Sequence, residues 1–281
     1  MPPLFLTTLA GCVLSALCMS LTAPVDVAAA CLHFTPNGNF HSDGAYVPGE
    51  AGFNLADVDS VGELNSLPAG IKGLVWVGQC GGVDTAFLKA VRPYVGNPKL
   101  FGFYLMDDPD PAGWHSRACA ADNLRAEADW IHANAQAATT FIVLMNAGSS
   151  SSPLFSRSYK AASSHVDLFG FSPYPCRTEA SSCDYDMIDR YVAAAASAGV
   201  PLPMMVPVYQ AFGGGGWADD RGGQYVLPTV IQERVIIARW DALLPSAKFD
   251  YVYSWGSQRG DVALDSSSGL QTVFSRHNSA C

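Results

Sequence analysis

Residues 104–111 read Tyr-Leu-Met-Asp-Asp-Pro-Asp-Pro, an apolar run that stops on three aspartates and two prolines in a chain with only 15% charged residues. Two carboxyls pushed together cannot both ionise easily. One of Asp107 and Asp108 is therefore expected to keep its proton to a higher pH and to act as a general acid. Asp110, beside a second proline, fits ordinary turn chemistry and a capping job.

The elements that must hold these acids follow from hydrophobic patterning. Apolar, β-rich runs at 53–57, 73–78, 100–107, 140–146, 166–172, 204–210 and 250–255 alternate with helical patterns at 84–95, 121–134, 186–198 and 229–243. Strands covered by helices on both faces read as continuous apolar runs, and repeated β-α units at this spacing imply a parallel sheet. A single domain over 31–281 favours a closed (β/α)8 TIM barrel, disulfide-braced, with the eighth strand inside 31–49 or the barrel irregular. An open doubly wound sheet is the alternative, but no Rossmann glycine fingerprint or phosphate loop occurs.

In such a barrel the active site gathers at the carboxyl ends of the strands. Side chains alternate along a strand, which groups Tyr104, Met106 and Asp108 on one side. The same logic collects Asn54, Asn146, Ser172, Tyr174, Gln210 and Trp255 at the mouth, with Trp76 on the strand 73–78 and Trp217 on a loop that follows four glycines. An acid, amides and aromatic plates suit a sugar ring, whose hydroxyls need fixed partners and whose apolar face needs a flat surface. Trp217 is expected on a lid over the site or on a plain surface loop.

Bulk properties narrow the setting. An apolar run at 4–21 and the Ala28-Ala29-Ala30 stretch predict a secretion signal over residues 1–30, although no Lys or Arg precedes Leu4. A lipid anchor at the Leu-Ala-Gly-Cys stretch of 9–12 is the lesser alternative. The remaining chain stays acidic, at about −8, which argues against nucleic acid as a partner. Six cysteines follow the leader, and the expected bridges are Cys31–Cys281, Cys80–Cys119 and Cys176–Cys183. No metal-ligand spacing or paired histidines occur, so neither metal nor cofactor is expected, and the chain is expected to be a monomer without a membrane span. The stretch from Asp57 starts like a calcium loop and fails at Val61 and Pro68; helix capping by Asp59 or Ser60 is the better reading.

The run 101–111, FGFYLMDDPDP, resembles the strand-end Asp-Glu-Pro of glycoside-hydrolase-like TIM barrels, in which the acid before proline donates the proton. The runs VDLFGFSPYP, VPVYQAFGG and YVYSWGSQ resemble, in order, further strand ends of those barrels. The resemblance implies Asp108 as donor, Tyr209 and Gln210 as sugar-facing residues, and Trp255 as the platform. Here Asp stands where Glu is expected, and no Glu ends a strand, so Asp57 is the first choice for the second carboxylate and Asp107 the next. The implied activity is cleavage of an oligo- or polysaccharide, with a non-catalytic sugar-binding barrel as the alternative. A third reading takes Gly-Gln-Cys-Gly-Gly at 78–82 as a nucleophile elbow and makes Cys80 a thiolate acting on esters or lactones.

Overall fold

Strands and helices alternate along the chain in the computed structural model, which describes residues 32–113 and 118–280. The strands are β1 (His33–Thr35), β2 (Leu55–Val58), β3 (Lys72–Trp76), β4 (Leu100–Asp107), β5 (Thr139–Val143), β6 (Leu168–Gly170), β7 (Met205–Val206), β8 (Val208–Gln210) and β9 (Asp250–Tyr253). Every pairing is parallel, in the order β7-β6-β5-β4-β3-β2-β1-β9-β8. β7 and β8 are two halves of one stave separated by Pro207, which has no N–H to give to a ladder. One half pairs with β6 and the other with β9, so the ring closes across the proline. The result is the expected (β/α)8 barrel, and the eighth strand is β1, inside 31–49 as anticipated.

Among the described residues seven α-helices surround it: α1 (Val61–Ser66), α2 (Thr85–Val91), α3 (Ala121–Asn134), α4 (Ala161–Ser164), α5 (Asp186–Ala198), α6 (Val230–Leu243) and α7 (Ser268–Asn278). Capping sets where several begin. Ser60 Oγ accepts from Glu63 N at 3.1 Å while Glu63 Oε2 accepts from Ser60 N at 3.0 Å, so the calcium-like stretch is a capping box. Thr229 and Gln232 repeat that device on α6, and Asp84 caps α2 through the N–H of Phe87 at 2.8 Å.

Two apolar layers result from the period of two along each strand. Phe34, Leu55, Leu74, Phe141, Leu168 and Phe249 fill the barrel, while Phe53, Phe87, Phe103, Ile131, Trp240 and Phe274 pack between strands and helices. Gly102 lets β4 and β5 approach: a Cβ there would stand 2.1 Å from the carbonyl oxygen of Thr139.

Cys80–Cys119 and Cys176–Cys183 are bonded as expected, whereas the expected Cys31–Cys281 bridge and the leader lie outside the described residues. The first bridge joins positions 39 apart. Replacing both of its cysteines by serine should lower unfolding free energy by about 3–4 kcal/mol, the loop-entropy value for that span, measured by urea denaturation of the double variant.

Candidate active site

β4 carries the acids, and an irregularity in it decides which way they point. Tyr104 pairs with Phe141, but the next partners are Met106 with Ile142 and Asp107 with Val143, so Leu105 is an extra residue in the ladder. Strict alternation would send Met106 inward with Tyr104. The bulge shifts the phase: Met106 packs into the helix-facing layer, and Asp107 turns to the barrel interior beside Tyr104 and Val143. The phenol of Tyr104 donates to Asp107 Oδ1 at 2.8 Å. Asp108 follows with φ +46°, a left-handed conformation that Asp tolerates better than most residues, and its N–H donates to the Val143 carbonyl at 3.0 Å. Asp110 does the expected turn work, its Oδ1 accepting from the N–H groups of Ala112 and Gly113, both at 2.9 Å.

Three adjoining hollows form the mouth. Asp107 and Asp108 line one of about 220 Å³ with Ser172, Tyr174, Trp217, Tyr225 and Tyr253. A second, of about 380 Å³, shares Asp107, Trp217 and Tyr253 with the first and adds Asp57, Asp59, Trp76, Tyr104 and Gln258. The third, of about 210 Å³, shares Asp108, Ser172, Tyr174 and Tyr225 and adds Asn146, Arg177 and Asp220. Arg177 is paired with Asp220, which also accepts from the N–H of Ser150 at 2.7 Å, so this cation is already neutralised. A larger hollow, about 780 Å³, opens at the other end of the barrel between Lys72, Asn97, Phe101 and Ala138 and holds no carboxylate. The paired acids therefore stand at the carboxyl end.

The acids are unlike free aspartates. Asp107 and Asp108 are both exposed to solvent at the mouth, yet enough protein crowds around them to make their charged forms costly. Burial first, and then the neighbouring charge of Asp107, push Asp108 up to about 7. Burial raises Asp107 as well, opposed by the hydrogen bonds from Tyr104 and the Asp108 N–H, which favour its charged form. Asp57, which accepts from Asn37 N at 3.1 Å, is pushed up to about 7, again by burial above all. Tyr104→Phe removes a donor to the Asp107 carboxylate, so Asp107 should titrate at higher pH in that variant. Carbonyl-detected NMR titration of the aspartates measures it.

Of the residues singled out in the sequence, Asp57, Trp76, Tyr104, Asp107, Asp108, Asn146, Tyr174 and Trp217 meet at this mouth. Asn146 is tied down there, donating to the Tyr191 hydroxyl at 3.0 Å and accepting from Gly148 N and Leu154 N. Trp217 is also held: the Arg259 guanidinium stacks 4.1 Å from its ring centre and Phe212 meets it edge-on at 5.7 Å.

Four expectations fail. Asn54 precedes β2 and accepts from His33 N at 2.8 Å at the amino end of the barrel, because the strand begins at Leu55 rather than at Phe53. Tyr209 faces outward and packs on Phe274 and His277. Gln210 faces inward but is fully buried, with Oε1 accepting from Cys176 N and Nε2 donating to the carbonyls of Cys176, Phe212 and Val226, so it pins two loops instead of a ligand. Trp255 is buried in the outer layer against Phe53 at 6.2 Å. The Cys80 thiolate reading is overturned outright, since Cys80 is bonded to Cys119. Asp59, Asp220 and Tyr225 were missed; two sit in loops with no period to read, and Asp59 follows its strand end as an apparent helix cap.

No family model and no curated protein matches the chain. Solved structures do. The C-terminal domain of a putative chitinase from Desulfitobacterium hafniense DCB-2 superposes with TM-score 0.57 at 10% identity, covering 89% of this chain and 99% of that one. A mutant of catalytic domain 2 of the Group II chitinase of Ostrinia furnacalis, in complex with penta-N-acetylchitooctaose, gives 0.55 at 10% identity over 91% and 97%. The chitinase-like agglutinin of Robinia pseudoacacia gives 0.52 at 11% identity over 89% and 100%. At these identities the likeness establishes the fold, a TIM barrel, and nothing finer.

Proposed function

We propose that this chain is a secreted, monomeric glycoside hydrolase that cleaves an oligo- or polysaccharide by carboxylate acid/base chemistry. One observation carries the reading: Asp107 and Asp108 line a single hollow, walled by Tyr174, Trp217 and Tyr253, with the Asp108 proton held up to about 7. Asp108 gives that proton to the leaving glycosidic oxygen. Asp107, whose charged form the Tyr104 hydroxyl favours, serves as the second carboxyl that glycoside cleavage needs and faces the positive charge that grows on the anomeric carbon. The sequence favoured Asp57 for that role, but Asp57 borders only the neighbouring hollow; there, with Trp76 and Gln258, it binds the adjoining sugar. Tyr174, Asn146 and the two tryptophans position rings and hydroxyls. The two disulfides fit an oxidising compartment and hence export.

A second reading, a sugar-binding barrel without turnover, is favoured by the absence of Glu from every strand end and by the likeness to the Robinia agglutinin. A panel of neutral, N-acetylated and amino-sugar oligosaccharides, read for both binding and reducing ends released, separates the two. N-acetylated oligosaccharides come first because two of the similar folds belong to chitinases. Release of new reducing ends supports the hydrolase; saturable binding without release supports the lectin-like reading; absence of both overturns the sugar proposal.

A further inference from the structure

The sequence shows no metal-ligand spacing, yet the fold gathers a donor set at the amino end of the barrel. His33 opens β1 and Asp250 opens β9, and the two are register partners in the parallel ladder. His277 arrives from the last turn of α7. His33 Nδ1 lies 2.9 Å and His277 Nε2 2.8 Å from one and the same oxygen, Asp250 Oδ2. One donor atom from each of the three residues can be chosen so that all lie within 4.8 Å of one another. The side chains are 1%, 1% and 7% exposed for His33, Asp250 and His277.

Hydrogen bonding within the trio leaves a remainder. Oδ2 serves both imidazoles, while Asp250 Oδ1 and His33 Nε2 are buried without a partner among the described residues. An unsatisfied buried oxygen is costly, and it marks the trio as incomplete without another species. Access exists as well: a hollow of about 380 Å³, bordered by Arg234, Ile237, Asp241 and Arg276, reaches His277 from solvent.

We propose that His33, Asp250 and His277 form a binding site for a divalent transition-metal ion of the zinc class. Two imidazole nitrogens and one carboxylate oxygen are the donor types such ions take, with a water from the hollow completing a tetrahedral set. On binding, the ion takes the lone pairs of His33 Nδ1 and His277 Nε2, and each imidazole proton that otherwise bridges to Asp250 moves by exchange with solvent to the other nitrogen of its ring, Nε2 of His33 and Nδ1 of His277. The ligands come from the first strand, the last strand and the last helix. The ion thus fastens the seam between the first strand and the last, and its position at the end opposite the acidic mouth makes its role structural.

The test uses the full chain, stripped with a chelator and then titrated with Zn²⁺ alone, read by calorimetry, elemental analysis and thermal melting. Expected are about one zinc retained per chain through desalting, and a Tm that falls on chelation and returns with zinc. His277→Gln should lose this uptake, whereas Asp107→Asn with Asp108→Asn should keep it, which separates the site from the acidic mouth. Wild-type protein that neither binds zinc nor changes its melting on chelation and re-addition overturns the proposal, as does uptake that survives His277→Gln and vanishes in the mouth double variant.

Discussion

Asp108→Asn is expected to lower turnover of the responsive glycan by about 10²–10⁴-fold, the range for removing a positioned general acid, while binding of the same glycan persists. The amide keeps the shape of the carboxyl and cannot release the proton. In the wild type the active form carries that proton, so the rate should fall as pH rises through about 7, where Asp108 titrates, and the variant's residual rate should lack this limb. Wild-type stability falls with the same titration. A carboxyl whose folded value is raised from 3.8 to about 7 contributes stability fully below its unfolded value and loses it as pH rises to the folded one. Asn does not ionise, so the variant should melt no lower than the wild type at pH 8. Activity kinetics across pH and melts at pH 5 and 8 check both halves. An unchanged rate in the variant removes Asp108 from the mechanism.

Phe141→Ala is expected to cost about 3–5 kcal/mol, the range for deleting a buried aromatic ring. Phe141 is fully buried in the barrel interior, where its ring centre lies 4.8 Å from that of Tyr104, 5.0 Å from Phe249 and 6.2 Å from Tyr251. Two of those rings belong to the platform beneath Asp107, so the cavity should loosen the Tyr104 phenol as well as the fold. Urea midpoints of Phe141→Ala and Phe141→Leu measure the effect; Leu should recover much of the loss because it refills most of the volume. A cost under about 1 kcal/mol would contradict a well-filled interior.

The alternation of strand and helix patterns was legible because it is a local signal: period two, period 3.6 and cap residues leave marks within a dozen positions. α3 and α5 begin and end where the pattern places them, and Ser60 and Thr229 do the capping that their types suggest. The failures are equally specific. Asn54 and Trp255 were assigned to the mouth from strand alternation and lie elsewhere because a strand begins two residues late or because the chain has left the ladder, while Tyr209, placed there by the resemblance, faces outward through the same alternation that turns Gln210 inward. Gln210 points the expected way, but the loops after Tyr174 and Ala211 fold over it and take all of its hydrogen bonds.

By itself the sequence determined the parallel α/β barrel, two of its cystine pairs and the strand end on which paired acids stand, since each depends on residue type and short-range spacing. Tertiary structure alone decided that Asp107 turns into the barrel beside Tyr104, because one extra residue in the β4 ladder shifts the phase of the side chains beyond it and propensity does not encode such a bulge. It also decided that His33, Asp250 and His277 meet, since closing the ring brings the first strand, the last strand and the last helix together across most of the chain's length. Contacts of that span are set by how the whole barrel packs, and no window of sequence contains them.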